Sequence, residues 1–170
     1  VVGGGDWANN RIITDCVQSW SKNKKVELRN PNATRPWQHV LEAVGGYLSL
    51  AIKLNSEKHL HGESFNFGPN LSREYSVLEL VRTMGIFWQD ISWKKMRKSK
   101  KKFYESELLR LNCNKAKKVL KWKNVLKFRE TVKMVASWYR SYYYSPKNIN
   151  KITVGQIKEY EELIKKRSIK

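Results

Sequence analysis

Three residues near the start of the sequence have the spacing of a phosphate-binding loop. Gly3, Gly5 and Ala8 match the G-x-G-x-x-A pattern of a dinucleotide-binding turn. Glu27 lies about twenty residues further on, where an acid that binds a ribose would be expected. Such a loop must follow a buried strand, but only two valines precede these glycines, and the carboxylate of Asp6 would repel the phosphates. We therefore predict that this stretch does not bind a dinucleotide.

Two other sets of potentially reactive side chains have a spacing that does not indicate a catalytic or metal site. Tyr143 and Lys147 have the Y-x-x-x-K spacing, which requires both side chains on one face of a continuous helix. Pro146 lies between them and interrupts a helix there, so we interpret the pair as a coincidence. Cys16 and Cys113 lack the spacing of metal ligands, and we expect both to be free and reduced.

The elements that must position these residues form a mixed α/β chain. A capping box at Ser76 and Glu79 predicts the start of one helix, and Asn112 or Asn114 is expected to cap a short helix over 115–121. Apolar residues with helical spacing and short alternating runs predict the other elements. The predicted helices are 11–21, 37–54, 76–88, 126–144 and 153–167, and the predicted strands are 25–29, 64–67, 90–96 and 108–112.

Several conspicuous residues are interpreted as structural. Gly45 and Gly46 would weaken the second predicted helix unless it packs closely against a neighbour. His39 is expected to be a packed or hydrogen-bonded histidine rather than a catalyst, and Asn66 is expected to satisfy backbone groups at a strand end.

The composition is that of one globular domain with a strongly basic surface. The chain has 170 residues, 41% of them hydrophobic, and a net charge of +19. Only 94–102 is a dense basic run, with a loop predicted over 97–102, and no nucleic-acid-binding motif accompanies it. We therefore expect no specific nucleic-acid partner. The positive electrostatic field of the chain is expected to attract small anions. Without an apolar run of membrane-spanning length or a signal peptide, the expected location is cytoplasmic, away from the membrane.

Segments spread over most of the chain resemble one enzyme family, in order and at its spacing. They resemble the C-terminal half of CDP-glucose 4,6-dehydratases, which are extended short-chain dehydrogenases/reductases. The segments are VVGGGDWANNRIITDCV (1–17), RNPNATRPWQHVLEAVGGYL (29–48), FNFGP (65–69), LRLNCNKAKKVLKW (109–122), WYR (138–140) and QI (156–157).

The resemblance implies a fold and a division of labour between two halves of an enzyme. Residues 1–170 would hold the C-terminal part of an NAD-binding Rossmann-type fold plus the smaller mixed α/β substrate-binding domain. The family's glycine-rich loop and catalytic tyrosine and lysine would lie in an N-terminal half that is missing here. That half is the implied partner and would bind most of the NAD. The full-length enzyme is expected to be a homo-oligomer.

The resemblance also implies which residues bind the substrate, CDP-glucose. Arg35 would bind the diphosphate, and Arg11 is a weaker candidate beside the cleft. Trp7 would lie near the hexose, although a role as a core anchor is equally open. Tyr104 stands where the family has a histidine, so no role is assigned to it or to Glu105. The remaining implied residues are Val26, Leu28 and Arg29 beside the cytosine, and Asp6 near the hexose.

The implied reaction is that of a hydro-lyase. CDP-glucose would be converted to CDP-4-keto-6-deoxyglucose through a transient oxidation by NAD, as a precursor of dideoxyhexoses in bacterial surface polysaccharides such as the O-antigen of lipopolysaccharide. Two alternatives stay open at this point. One is a related sugar-nucleotide epimerase or dehydratase with another base, and the other is a basic, non-catalytic module that binds polyanions.

Overall fold

In the computed structural model of the chain, residues 1–70, 73–96 and 109–168 are described. These residues form six α-helices, four short strands and two 3-10 turns. The helices are α1 (Ile12–Trp20), α2 (Val40–Ser56), α3 (Val77–Trp88), α4 (Asn114–Val119), α5 (Phe128–Tyr144) and α6 (Ile149–Ser168). The strands are β1 (Val26–Leu28), β2 (Thr34–Arg35), β3 (Tyr75–Ser76) and β4 (Trp93–Lys95), and the 3-10 turns are Lys58–Leu60 and Pro146–Asn148.

The strands form two separate pairs. β1 and β4 pair in parallel, with Val26 opposite Trp93. β2 and β3 pair in antiparallel fashion, with Thr34 opposite Ser76. The parallel pair confirms the strands predicted at 25–29 and 90–96, although both are shorter than predicted.

A third β contact joins the start of the chain to the segment before α2. The Val2 N–H donates to the Gln38 carbonyl at 2.7 Å, and the Val40 N–H donates to the Val2 carbonyl at 2.8 Å. This makes an isolated parallel bridge between Val2 and His39. Because His39 is held extended, α2 begins at Val40 and not three residues earlier as predicted.

The main core lies where α1, α3 and α5 pack together over β1. Trp20, at the end of α1, is buried in this core, and its Nε1–H donates to the Ser92 carbonyl at 3.0 Å. Apolar side chains buried there include Val17, Trp20, Leu28, Leu80, Met84, Trp88, Val135 and Tyr139. Among the described residues, no helix combines the length and the hydropathy that a membrane crossing requires.

The predicted helix starts are largely confirmed. Ser76 Oγ accepts from the Glu79 N–H at 3.2 Å, and the Glu79 carboxylate accepts from the Ser76 N–H at 2.9 Å, so the capping box is present. Asn112 Oδ1 accepts from the N–H of Asn114, the first residue of α4, at 2.9 Å, but the N-cap position is Cys113 and not Asn112 or Asn114 as predicted. The last helix begins at Ile149, earlier than the predicted 153.

Two predicted strands are wrong. Residues 64–67 form no strand, and neither do 109–112, because neither segment has a neighbouring strand among the described residues. Side chains satisfy the backbone there instead. The Gln38 amide, in its favourable orientation, donates to the Phe67 carbonyl at 2.9 Å. Asn66 Nδ2 donates to the Asn112 carbonyl at 3.4 Å, in keeping with its predicted backbone role. The predicted loop at 97–102 lies outside the described residues.

The two glycines inside α2 lie at close contacts, as the sequence predicted. A Cβ added to Gly46 would lie 2.4 Å from the Phe67 ring, and one added to Gly45 would lie 3.2 Å from the Tyr160 hydroxyl. By contrast, a Cβ on Gly155 in the middle of α6 would meet no described residue within 4 Å. Substitutions at these glycines can therefore distinguish the effect of close packing from that of helix propensity.

We expect Gly46→Ala to lower the free energy of unfolding by about 1–3 kcal/mol, because Phe67 must move. The matched control Gly155→Ala should raise it by up to about 1 kcal/mol, because alanine favours the helix. Denaturant unfolding of both variants measures the two changes. Stabilisation by Gly46→Ala would contradict the close packing of α2.

Two polar side chains are buried at the start of α2. The His39 imidazole accepts from the Leu41 N–H through Nδ1 at 3.2 Å, while its Nε2 has no partner among the described residues. Glu42 accepts from the N–H groups of Val125 (2.7 Å) and Leu126 (2.5 Å). Burial lowers the pKa of His39 to about 4 and raises the pKa of Glu42 above its ordinary value.

Because the pKa of His39 is lowered in the folded chain, we expect the chain to lose stability in acid. The ordinary value of this pKa is 6.5, so between pH 6.5 and 4 the unfolded chain binds more protons at this site than the folded chain. The free energy of unfolding should therefore fall by roughly 3 kcal/mol as the pH drops through that window. His39→Asn keeps a helix cap but cannot titrate, so it should remove this slope.

The control is His59→Asn, because His59 is exposed. Unfolding in denaturant at a series of pH values compares the three proteins. The account of His39 is wrong if its variant keeps the parent's slope between pH 6.5 and 4.

Candidate functional site

A cleft of about 380 Å³ opens where the segment 1–6 meets α1, the end of β1 and β2. This volume is in the range of about 300–1,000 Å³ that is usual for small-molecule sites. Pro36, Trp37 and Val77 give part of the cleft an apolar wall. The charged residues that line it are Asp6, Arg11, Asp15, Glu27, Arg29 and Arg35.

Three arginines reach the cleft from three different elements. Arg11 is the extended residue that precedes α1, so its side chain lies at the helix N-terminus. Arg29 follows β1, and its guanidinium donates to the Asn10 carbonyl at 3.2 Å. Arg35 lies in β2, and its Nη1 donates to the Thr34 carbonyl at 2.7 Å. Their planar guanidinium groups suit an anion with several oxygens, such as a diphosphate.

Three carboxylates share the cleft with the arginines. Glu27 pairs with Lys94 at 2.7 Å, so its charge is partly offset. Burial raises the pKa of the Asp15 carboxyl, which the nearby Arg29 partly opposes. Asp6 Oδ1 accepts from the Ala8 N–H at 3.0 Å. Such acceptors suit hydroxyl groups, so the cleft combines donors for phosphate with acceptors for a sugar.

The segment that carries Asp6 is fixed by buried hydroxyl groups. The Tyr139 hydroxyl donates to the Asp6 carbonyl at 2.5 Å, and the Thr14 hydroxyl donates to the same oxygen at 3.1 Å. Burial raises the pKa of Tyr139 to about 12, so the hydroxyl stays protonated and remains a donor at neutral pH. α1 and α5 thus hold one wall of the cleft in place.

Trp7 lies outside the cleft. Its ring packs against Tyr139 (5.2 Å between centroids), Tyr142 (4.8 Å) and Tyr143 (6.2 Å), and 37% of its surface is exposed. These contacts make Trp7 the anchor of the segment 1–7 on α5, which was one of its two expected roles.

Val26 and Leu28 do not line the cleft either, contrary to the expectation that they border the base. Both are buried in the core, at 2% and 0% exposure, so neither side chain borders a ligand in this cleft. Side chains alternate along a strand, so Glu27 and Arg29 face the cleft instead. The alternation in "VELR" was the signal that could have identified Glu27. Tyr104 and Glu105 lie outside the described residues.

The glycines at the start of the chain serve close packing. A Cβ on Gly3 would lie 2.6 Å from Val40 Cγ1, and one on Gly4 would lie 2.2 Å from the Trp138 ring. α1 begins only at Ile12, so the glycines do not lead directly into a helix. The residues present in this segment therefore do not fit the pyrophosphate of a dinucleotide, in agreement with the sequence prediction.

The tyrosine–lysine pair and the two cysteines singled out in the sequence do not form a catalytic site. α5 ends at Tyr144, and Lys147 lies in the following 3-10 turn, so Tyr143 and Lys147 do not share a continuous helix. Cys16 and Cys113 are both free and buried, as expected. Within the described ranges, no three His, Cys, Asp or Glu side chains converge as metal ligands would.

A second cleft, of about 410 Å³, also includes Arg35. Its other arginines are already paired, Arg73 with Glu79 and Arg167 with Glu130. In the first cleft, neither Arg11 nor Arg29 forms an ion pair with a described residue. The first cleft therefore has cations more available to an anionic ligand.

The chain is similar to known proteins in sequence and in structure. No protein-family model matches the chain. A CDP-glucose 4,6-dehydratase of Salmonella typhimurium is 36% identical over 143 residues, which cover 84% of this chain and 39% of that protein.

The similar solved structures include two enzymes from Bacillus species. A UDP-glucuronic acid 4-epimerase of Bacillus cereus, in complex with UDP-glucuronic acid and NAD, has a TM-score of 0.68 at 12% identity, over 83% of this chain and 43% of that one. A dTDP-glucose 4,6-dehydratase of Bacillus anthracis, in complex with NAD, has a TM-score of 0.63 at 20% identity, over 86% and 44%.

The chain spans about two fifths of the length of the proteins that it matches. The predicted fold class, part of an NAD-binding Rossmann-type fold with a mixed α/β region, is confirmed by these structures. The resemblance inferred from the sequence is also confirmed: the chain resembles part of a CDP-glucose 4,6-dehydratase in sequence, and shares its fold with part of the NAD-binding epimerases and dehydratases of sugar nucleotides.

Proposed function

We propose that this chain supplies the sugar-nucleotide-binding part of a dehydratase that converts CDP-glucose to CDP-4-keto-6-deoxyglucose. The observation that carries the proposal is the meeting of Arg11, Arg29 and Arg35 in one cleft. The sequence similarity to a CDP-glucose 4,6-dehydratase supports the same ligand class.

The cleft has a group for each part of a sugar nucleotide. The arginines would hold the diphosphate, with Arg35 as the principal ligand because it lies in a strand and is half-buried. Asp6 would accept from hydroxyl groups of the hexose. Trp37 and Val77 offer apolar surface to the base.

The redox chemistry is assigned to another part of the enzyme. The glycine segment does not fit a dinucleotide, and Tyr143 and Lys147 are on separate elements. We therefore propose that NAD, which would supply the transient oxidation, is bound outside this chain. The role of this chain is to bind and orient the substrate.

A sugar nucleotide with another base is the second candidate, because the solved neighbours include enzymes named for UDP and dTDP sugars. The binding experiment below separates the two candidates by comparing three nucleotides. Heparin serves as the probe for a general polyanion-binding module, which the net charge of +19 could also support.

CDP-glucose should bind the purified chain more tightly than UDP-glucose, dTDP-glucose or heparin. At a concentration of a hundred times its Kd, CDP-glucose should raise the free energy of unfolding of the chain by about 2.7 kcal/mol. Arg35→Ala should weaken this binding about ten- to a hundredfold, because a charge-assisted hydrogen bond contributes about 1.5–3 kcal/mol. Titration calorimetry and thermal unfolding measure both effects.

The matched control for Arg35→Ala is Arg82→Ala, which removes an exposed arginine of α3 that does not line the cleft. Equal affinity for the three nucleotides would contradict the assignment of cytosine. Unchanged affinity in Arg35→Ala would contradict the role of that residue.

The purified chain should show no dehydratase activity, even with NAD added, because the described residues do not supply the redox site. Chromatography of nucleotide products after incubation with CDP-glucose tests this expectation, with the intact Salmonella enzyme as a positive control. Turnover by the chain alone would show that the redox chemistry has been assigned wrongly.

A further inference from the structure

We propose that Glu27 is the residue that selects cytosine among the pyrimidine bases of sugar nucleotides. Its carboxylate would accept a hydrogen bond from the 4-amino group of the base, while Lys94 holds the carboxylate in place. This inference rests on the proposed function, because it concerns the base end of the same cleft and requires that a sugar nucleotide binds there.

The parallel strand pair holds Glu27 at the rim of the cleft. Glu27 is the middle residue of β1, between Val26 and Leu28, which are both buried. Its partner across the sheet is Lys94 in β4, so the two side chains project from the same face of the pair. The Lys94 ammonium lies 2.7 Å from Oε1 of Glu27. The carboxylate is therefore presented to the cleft from a fixed position.

The Glu27 carboxylate can still accept a hydrogen bond from a ligand. Among the described residues Lys94 is its one ion-pair partner and contacts Oε1, which leaves Oε2 for a ligand. The Glu27 side chain is 45% exposed, so a ligand can reach it. Because the ion pair has no net charge, it repels a neighbouring diphosphate less than a lone carboxylate would.

Glu27 lies at the end of the cleft that suits a base. Together with Asn10, Asp15 and Arg29, it also borders an open groove on the surface, so this end of the cleft faces solvent. Asp6, which is proposed to bind the hexose, is not among the described residues that border the groove. A sugar nucleotide that extends from Asp6 past the arginines would therefore place its base beside Glu27.

The pyrimidine bases of sugar nucleotides differ in the group at position 4 of the ring. Cytosine carries an amino group there, which is a donor, whereas uracil and thymine carry a carbonyl oxygen, which is an acceptor. An ionised carboxylate only accepts, so Glu27 can bond to the amino group and would repel the carbonyl oxygen. The arginines of the cleft only donate, so they cannot favour cytosine at this position.

The test is titration calorimetry of the parent chain and of Glu27→Gln with CDP-glucose and UDP-glucose. Glutamine keeps the size of the side chain, but its amide can donate to the carbonyl oxygen of uracil. The preference for CDP-glucose should fall at least about tenfold, because a charge-assisted hydrogen bond to cytosine is lost. CDP-glucose should bind more weakly to the variant, while UDP-glucose should bind as tightly as before or more tightly.

The matched control is Glu63→Gln, which removes an exposed ion pair with Lys115 away from the cleft. It should leave both affinities at the values of the parent chain. An exposed ion pair contributes little to stability, so Glu27→Gln should be as stable as the parent chain, and unfolding in denaturant checks this.

Two results would overturn the inference while leaving the proposed function intact. The first is a preference for CDP-glucose that is unchanged in Glu27→Gln. The second is an equal loss of affinity for both nucleotides, because Glu27 would then bind the ribose that they share. Failure of the proposed function looks different: the parent chain then binds neither nucleotide, which overturns both proposals.

Discussion

Two buried hydroxyl groups, those of Tyr139 and Thr14, donate to the carbonyl oxygen of Asp6, and the candidate site depends on this contact. It ties the segment 1–6 to α5 and to α1 at a single oxygen. Loss of either donor would cost about 1–3 kcal/mol wherever a buried group was left unpaired. Without this contact, the wall that carries Asp6 would be held only by the backbone pairing of Val2 and by the packing of Trp7 on α5.

The sequence was a good guide wherever local chemistry decides the structure. The capping box at Ser76 and the helix in 126–144 follow from short-range sterics and hydrogen bonds. The predicted strands at 64–67 and 108–112 failed over their described residues, because a strand needs a neighbour that local pattern does not reveal. The late start of α2 has the same origin, since it is set by pairing with distant Val2.

Part of the candidate site was predicted from the sequence, and the wrong predictions have a physical cause. Arg11, Arg29, Arg35 and Asp6 line one cleft, but the resemblance alone could not say which side chains of β1 face it. Strand alternation turns Val26 and Leu28, two residues apart, into the core. The result is a chain with donors for phosphate and acceptors for hydroxyl groups, and without a dinucleotide loop among its described residues.

The central claim is that the three arginines hold the diphosphate of a CDP-sugar. A crystal structure of the chain grown with CDP-glucose would test it most directly. Our account predicts the diphosphate within hydrogen-bond distance of Arg11, Arg29 and Arg35, in the cleft of about 380 Å³. A nucleotide bound instead in the second cleft, beside Arg73 and Arg167, would contradict the account.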